Sequence, residues 1–198
     1  MDFLAQLNYI EVAAAATALL CVWLYTRQNV WSWPITIVSA TLYSIVFFQT
    51  WLYATMVLQG IYVILTIYGW YQWLHGGAQQ STLKVSRVTR TTVLVLAGIV
   101  VVGTGAVAYV LATSTNAALP FWDALTAVMS LVGQWMLAKK ILENWLVWIV
   151  VDPIYVGIFI YQGHYLTALL YTNFLILAIL GLLAWRKAMR AESATVSA

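Results

Sequence analysis

Between Arg27 and Lys84 the chain carries no Asp, Glu, Lys or Arg, and there is none again between Arg90 and Asp123. A soluble domain has about a quarter of its residues charged, because charge is what keeps its surface in water. Here 8% are charged and 64% hydrophobic, with eleven Trp, twelve Tyr and six Phe among the 198 residues. With a mean hydropathy of +0.89, only a lipid environment can face that much apolar surface. The chain is therefore an integral membrane protein. Three Pro, eleven Gly without a short period and one Cys exclude disordered, collagen-like and disulfide-framed classes. Cys21 sits in an apolar run and reads as a buried, inert thiol.

A spanning helix needs about 20 apolar residues. The long continuous runs predict seven helices, at 9–26, 33–49, 52–74, 92–113, 121–138, 144–161 and 165–185. A transmembrane barrel would instead show short alternating strands. The N-terminus has neither a basic start nor a small-residue cleavage site, so no removable signal peptide is expected. All nine basic residues fall in four clusters: Arg27; Lys84, Arg87 and Arg90; Lys139 and Lys140; Arg186, Lys187 and Arg190. Seven helices with the N-terminus outside put every cluster on the cytoplasmic side and leave the outer loops without Lys or Arg, as the positive-inside bias requires. The net charge of +3 thus follows from topology, and nucleic acid is not an expected partner. The Lys84–Arg90 segment reads as a basic stop-transfer signal, with a lipid- or nucleic-acid-binding patch as the weaker reading.

Shifting the chain by 112 residues superimposes Glu11 on Asp123, Trp23 on Trp135, Arg27 on Lys139 and Trp33 on Trp145. The same shift aligns Tyr43 with Tyr155, Phe47 with Phe159, Tyr53 with Tyr165, Thr55 with Thr167, Gly69 with Gly181 and Trp73 with Trp185. Helices 1–3 thus correspond to helices 5–7. The fourth helix, rich in Val, Leu, Ala and Gly, restores chain direction and makes the two repeats parallel. The expected architecture is all-α, with seven transmembrane helices in a 3+1+3 arrangement. The parts are residues 1–74, a basic loop with its linker helix at 75–113, the second repeat at 114–187, and a tail at 188–198. Parallel repeats with a substrate site between them near the midplane are a transporter arrangement.

Polar groups at membrane depth are costly, so they face a cavity or another helix. Thr55, Gln59, Tyr62 and Thr66 line one face of helix 3. Asp123, Thr126, Ser130 and Gln134 line helix 5, and Trp145, Trp148, Asp152, Tyr155 and Phe159 line helix 6. Tyr171 and Asn173 add to these from helix 7. Asp152 falls near the bilayer centre, and two readings stand for it. Pro153 bends the helix and Asp152 belongs to that break, or the carboxylate and the two indoles form a cage for an aromatic cation. Glu11 and Asp123, near outer helix ends, are gate candidates or simply hydrated. Trp31, Trp51, Trp70, Trp73 and Trp185 sit at interfacial depth, where an aromatic belt explains them.

No Walker-type loop, metal-ligand cluster or nucleophile–His–acid set is present, and His75 and His164 lie on opposite sides of the predicted membrane. No metal or cofactor is expected, and the chain is not read as an enzyme.

The chain resembles the PnuC-type bacterial vitamin transporters. The resemblance rests on Phe47-Phe48-Gln49, Leu52-Tyr53-Ala54, Leu58-Gln59 and Tyr68-Gly69-Trp70-Tyr71-Gln72-Trp73 in the first half. In the second half it rests on Phe121-Trp122-Asp123 and on Glu143-Asn144-Trp145-Leu146-Val147-Trp148 with Asp152. It implies a SWEET-like 3+1+3 fold, a homotrimer in the bacterial inner membrane, and energy-independent uptake of nicotinamide riboside made one-way by a separate cytosolic kinase. It also implies substrate contacts from Trp145, Trp148 and Asp152, with Gln59 and Tyr171; the polar stripes add Gln134, Tyr62 and Asn173 as candidate contacts. Asp152 stands where nicotinamide riboside members often have Asn. A carboxylate favours a permanently cationic ring, which both nicotinamide riboside and thiamine carry and a flavin does not. A thiamine carrier and a membrane vitamin-binding subunit without transport are the competing readings.

Overall fold

The computed structural model describes residues 9–49, 53–78, 81–115 and 117–196; the side chains of 9–12, 14, 42–49, 53–59 and 193–196 lie outside that description. Among the described residues seven helices follow in order: α1 (Tyr9–Thr26), α2 (Ser32–Gln49), α3 (Tyr53–His75), α4 (Arg90–Ser114), α5 (Pro120–Ala138), α6 (Asn144–Tyr161) and α7 (Tyr165–Val196). The expected helices are all found, six of them ending within two residues of the predicted bounds. The exception is α7, which continues eleven residues past Trp185. Among the described residues, α4, α6 and α7 are long and apolar enough to cross a membrane by length and composition alone.

The chain divides into two units, residues 1–83 and 84–198. In the first, α2 packs against both α1 and α3; in the second, successive helices from α4 to α7 pack pairwise. α4 thus clusters with α5–α7. It offers small residues at its contact: a Cβ on Gly103 would lie 3.2 Å from Val128 of α5.

Each unit is held by the same aromatic lock, at positions related by the 112-residue shift. In the first, the fully buried Trp33 meets Trp73 edge to face, with ring centroids 5.3 Å apart at 85°, and Tyr25 closes on it at 4.9 Å. In the second, Trp145 meets Trp185 at 5.4 Å and 90°. Edge-to-face geometry places the positive rim of one ring on the negative face of the other. Both locks need glycine on the third helix. A Cβ on Gly181 would fall 2.6 Å from Trp145 Cε2, and one on Gly69 would overlap the Trp33 ring. The belt expectation for Trp73 and Trp185 is therefore corrected: they are 1% and 0% exposed and belong to the core. Trp31 and Trp70 are exposed, as belt residues would be; Trp51 lies outside the described residues. Cys21 is buried as expected, its thiol donating to the Ala18 carbonyl at 3.1 Å.

The turns repeat as well. Gln28 and Lys140 adopt left-handed backbone at φ 54° and 51°. Asn29 N–H then donates to Leu24 O at 3.0 Å, and Ile141 N–H to Met136 O at 2.9 Å. This is the Schellman ending of a helix, satisfying carbonyls the helix leaves open. Ser32 Oγ donates to Asn29 O at 2.7 Å, and Asn144 Nδ2 donates to Ile141 O at 2.6 Å.

Candidate functional site

α6 reads as an apolar helix interrupted at mid-length. Pro153 supplies no N–H, so the Ile149 carbonyl loses its helical donor beside Asp152. The Asp152 side chain is 2% exposed and has no ion-pair partner among the described residues. A buried carboxylate without a cation is costly, by several kcal/mol when ionised. One turn toward the helix start, Trp148 is half-buried over Gly133 of α5; a Cβ there would sit 3.2 Å from the indole. Gly133 therefore leaves room for the ring close to α5. Gln134, the next residue, is 6% exposed.

On the other side of Asp152, Tyr155 faces the Thr126 and Ser130 hydroxyls of α5. Thr126 and Ser130 are both buried, and Thr126 also donates back to Trp122 O at 2.9 Å. Tyr155 lies 4.6 Å from Tyr171 of α7, tilted at 41°, and Phe159 packs at 5.2 Å on the same Tyr171 ring. The second unit thus gathers a buried acid, a supported indole, an amide and two tyrosines on α5, α6 and α7. Tyr155, Thr126 and Ser130 all lie in the polar stripes, and Tyr155 joins the site although the resemblance does not name it. Its signal was the three-residue step from Asp152.

The other expected residues divide. Trp145 is 2% exposed and occupied by Trp185 and Gly181, and its Nε1 has no hydrogen-bond partner. Trp33 is placed the same way, its Nε1 also unpartnered. Asn173 is exposed, with Nδ2 bonded to Leu169 O of its own helix at 2.8 Å. Asp123 is half-buried in the first turn of α5, where a carboxylate complements the helix dipole. Tyr62 is half-buried on α3 of the first unit, above the buried Thr66, whose hydroxyl donates to Tyr62 O at 2.7 Å. The side chains of Glu11 and Gln59 lie outside the description.

Comparison with known proteins gives these features a family context. Residues 8–187 match the family described as nicotinamide mononucleotide transporter. The chain is 29% identical over 210 residues to the nicotinamide riboside transporter PnuC of Escherichia coli (strain K12), covering 93% of this chain and 88% of that one. It is 27% identical to the riboflavin/roseoflavin transporter RibM of Streptomyces davaonensis, covering 86% and 81%. The crystal structure of the vitamin B3 transporter PnuC matches with a TM-score of 0.74 and 25% identity, over 92% of this chain and 83% of that one.

Proposed function

Because the chain belongs to the nicotinamide mononucleotide transporter family, we propose that it carries nicotinamide riboside across the membrane. The family is one of transporters, and the chain is a multi-pass membrane protein rather than an enzyme. Its relatives carry both a pyridinium riboside and a flavin by name, at comparable identity. The site must therefore decide the substrate. The observation that carries the reading is Asp152: a carboxylate 2% exposed with no ion-pair partner among the described residues. A permanently cationic ligand completes it, and a neutral flavin does not. Trp148 stacks on the pyridinium and gains most where water is excluded. Gln134, Tyr171 and Gln59 bind the amide or ribose, Tyr62 and Asn173 extend the contacts, and Trp145 supports the α6 backbone beneath them. Glu11 and Asp123 gate the outer side.

In this reading the two repeats run parallel in a SWEET-like 3+1+3 arrangement, with the N-terminus outside and the basic clusters in the cytoplasm. The repeated Trp33–Gly69–Trp73 and Trp145–Gly181–Trp185 locks support the correspondence of the halves. The protein works as a homotrimer in the bacterial inner membrane, and transport is facilitated diffusion drawn forward by a cytosolic kinase. A dissociation constant near ~10 µM, about −7 kcal/mol, suffices for such a carrier.

The test is a binding panel of nicotinamide riboside, thiamine and riboflavin on purified protein, followed by uptake into sealed vesicles. Riboside is expected to bind tightest and to fill the lumen at the same rate with or without an imposed pH gradient. Tighter thiamine or riboflavin binding transfers the assignment to that vitamin. Binding without filling makes the protein a receptor, and gradient-driven accumulation makes it a coupled carrier.

A further inference from the structure

The stretch that opens the second unit, expected to be a simple basic stop-transfer loop, is a fixed strap. Ser86 N–H donates to Lys140 O at 3.0 Å and Leu142 N–H returns to Ser86 O at 2.8 Å, so Ser86 brackets Ile141 in a parallel bridge. Val88 N–H donates to Glu143 Oε2 at 2.9 Å, and the Arg87 guanidinium stands 3.9 Å from Glu143 Oε1. Lys84 Nζ pairs with Glu192 of α7 at 2.6 Å. Thr89 follows directly and caps α4, its hydroxyl accepting from Thr92 N–H at 3.2 Å. The strap therefore joins the start of α4 to the α5–α6 turn and to the end of α7.

Glu143 is the residue just before α6, a position from which a side-chain oxygen can cap the helix that follows. It makes no such cap bond. One carboxylate oxygen takes the Val88 amide and the other faces Arg87. The turn itself does not require this. Residues 27–32 of the first unit build the same turn, with the same left-handed residue and the same Schellman bonds. Among the described residues, positions 28–31 hydrogen-bond only within residues 24–35, the turn and the helix ends it joins, and with no segment distant in sequence. The position equivalent to Glu143 is held by Trp31, which is 71% exposed. Shaping the turn thus leaves Glu143 unexplained.

We propose that Glu143 is a positioning residue for transport: through the strap it ties α6, which carries Trp148 and Asp152, to α4, so that the two helices move as one body. The rate prediction rests on the transport reading above; the structural prediction does not.

The experiment compares wild type, Glu143→Gln and Glu143→Ala by three measurements. These are amide exchange of residues 84–89 and 139–148 in detergent without ligand, equilibrium binding of nicotinamide riboside, and its uptake into proteoliposomes. Gln retains an acceptor for Val88 N–H, and Ala retains nothing. Ala is expected to speed strap exchange about tenfold. It should lower the maximal uptake rate about fivefold while the riboside dissociation constant stays within about twofold. Gln is expected to restore both exchange and rate most of the way. Unchanged strap exchange in Ala overturns the proposal, as does faster exchange with an unchanged uptake rate. A binding loss as large as the rate loss also overturns it, since Glu143 would then act on the site or the fold. Should Ala not fold, Ser86→Pro, which removes the amide donor to Lys140 O, carries the same expectations. If wild type binds no riboside, the substrate assignment falls, binding and uptake are measured with whichever of thiamine and riboflavin it binds, and the exchange comparison decides the strap by itself.

Discussion

Trp145 stands edge-on to Trp185 with ring centroids 5.4 Å apart, and the pair is almost wholly withdrawn from the surface. An indole so occupied cannot also lie flat on a ligand. Trp148, three residues on and against Gly133, is the half-buried ring of the Trp-x-x-Trp pair. The two indoles therefore differ: one fastens α6 to α7, and the other is the one the proposed function assigns to the ligand.

If that division holds, Gly181→Ala and Gly69→Ala are lesions of the same kind in the two units. Each added methyl meets an indole that the neighbouring Trp prevents from retreating. Overpacking of this sort costs about 1–3 kcal/mol. Thermal unfolding of both variants is expected at lower temperature, while the riboside that still-folded protein binds keeps its affinity. A midpoint equal to wild type for either glycine would show that its lock can relax.

Trp148→Ala is expected to weaken riboside binding about thirtyfold or more without disturbing assembly or helix content. A desolvated cation–π contact contributes about 2 kcal/mol or more, roughly thirtyfold in affinity. Calorimetry beside size-exclusion elution checks this; retained binding places the ligand elsewhere.

Charge and shape separate at Asp152. Asp152→Asn keeps the outline of the side chain and removes the carboxylate, so binding of nicotinamide riboside and thiamine is expected to fall by about tenfold or more. Riboflavin, neutral at its ring, is expected to be indifferent. A uniform loss across the three vitamins would make Asp152 part of the Pro153 break rather than a counter-ion.

Lys140 is 7% exposed in its turn, and burial pushes its ammonium below the ordinary lysine value of 10.5, with Glu192 acting in the opposite direction. A depressed ammonium means that folding disfavours the charged form. Its favourable contribution is complete above the ordinary value and lost as pH falls through the lower folded value. At neutral pH the charge is therefore a net burden. Lys140→Met is expected to raise the unfolding temperature at pH 7 by an amount that shrinks as pH approaches 10.5. An equal gain at both ends would assign it to packing instead.

The locks show how far one-dimensional information reached. The pairing of Trp33 with Trp145, Gly69 with Gly181 and Trp73 with Trp185 was readable as a repeat, yet Trp73 and Trp185 were assigned to an interfacial belt. Depth along a helix cannot tell an indole facing lipid from one facing the next helix. The local glycine was the missed clue, since a glycine four residues before each of these Trp leaves room for a ring. The strap was invisible for a different reason. Its bonds are backbone amides and carbonyls, which every residue owns, and Glu143 meets Val88 across a separation of 55 residues.

The helices, apart from the length of α7, the membrane setting and the 112-residue correspondence shared by the two locks were legible in the sequence alone. Each depends on local patterns: apolar run length, the distribution of charge, and residue identity at a fixed offset. Which indole is spent on packing, which acid is left without a cation, and how the connecting segment grips α6 were decided only by the tertiary structure. These depend on which side of a helix meets a neighbour, and that follows from the packing of helices distant in sequence.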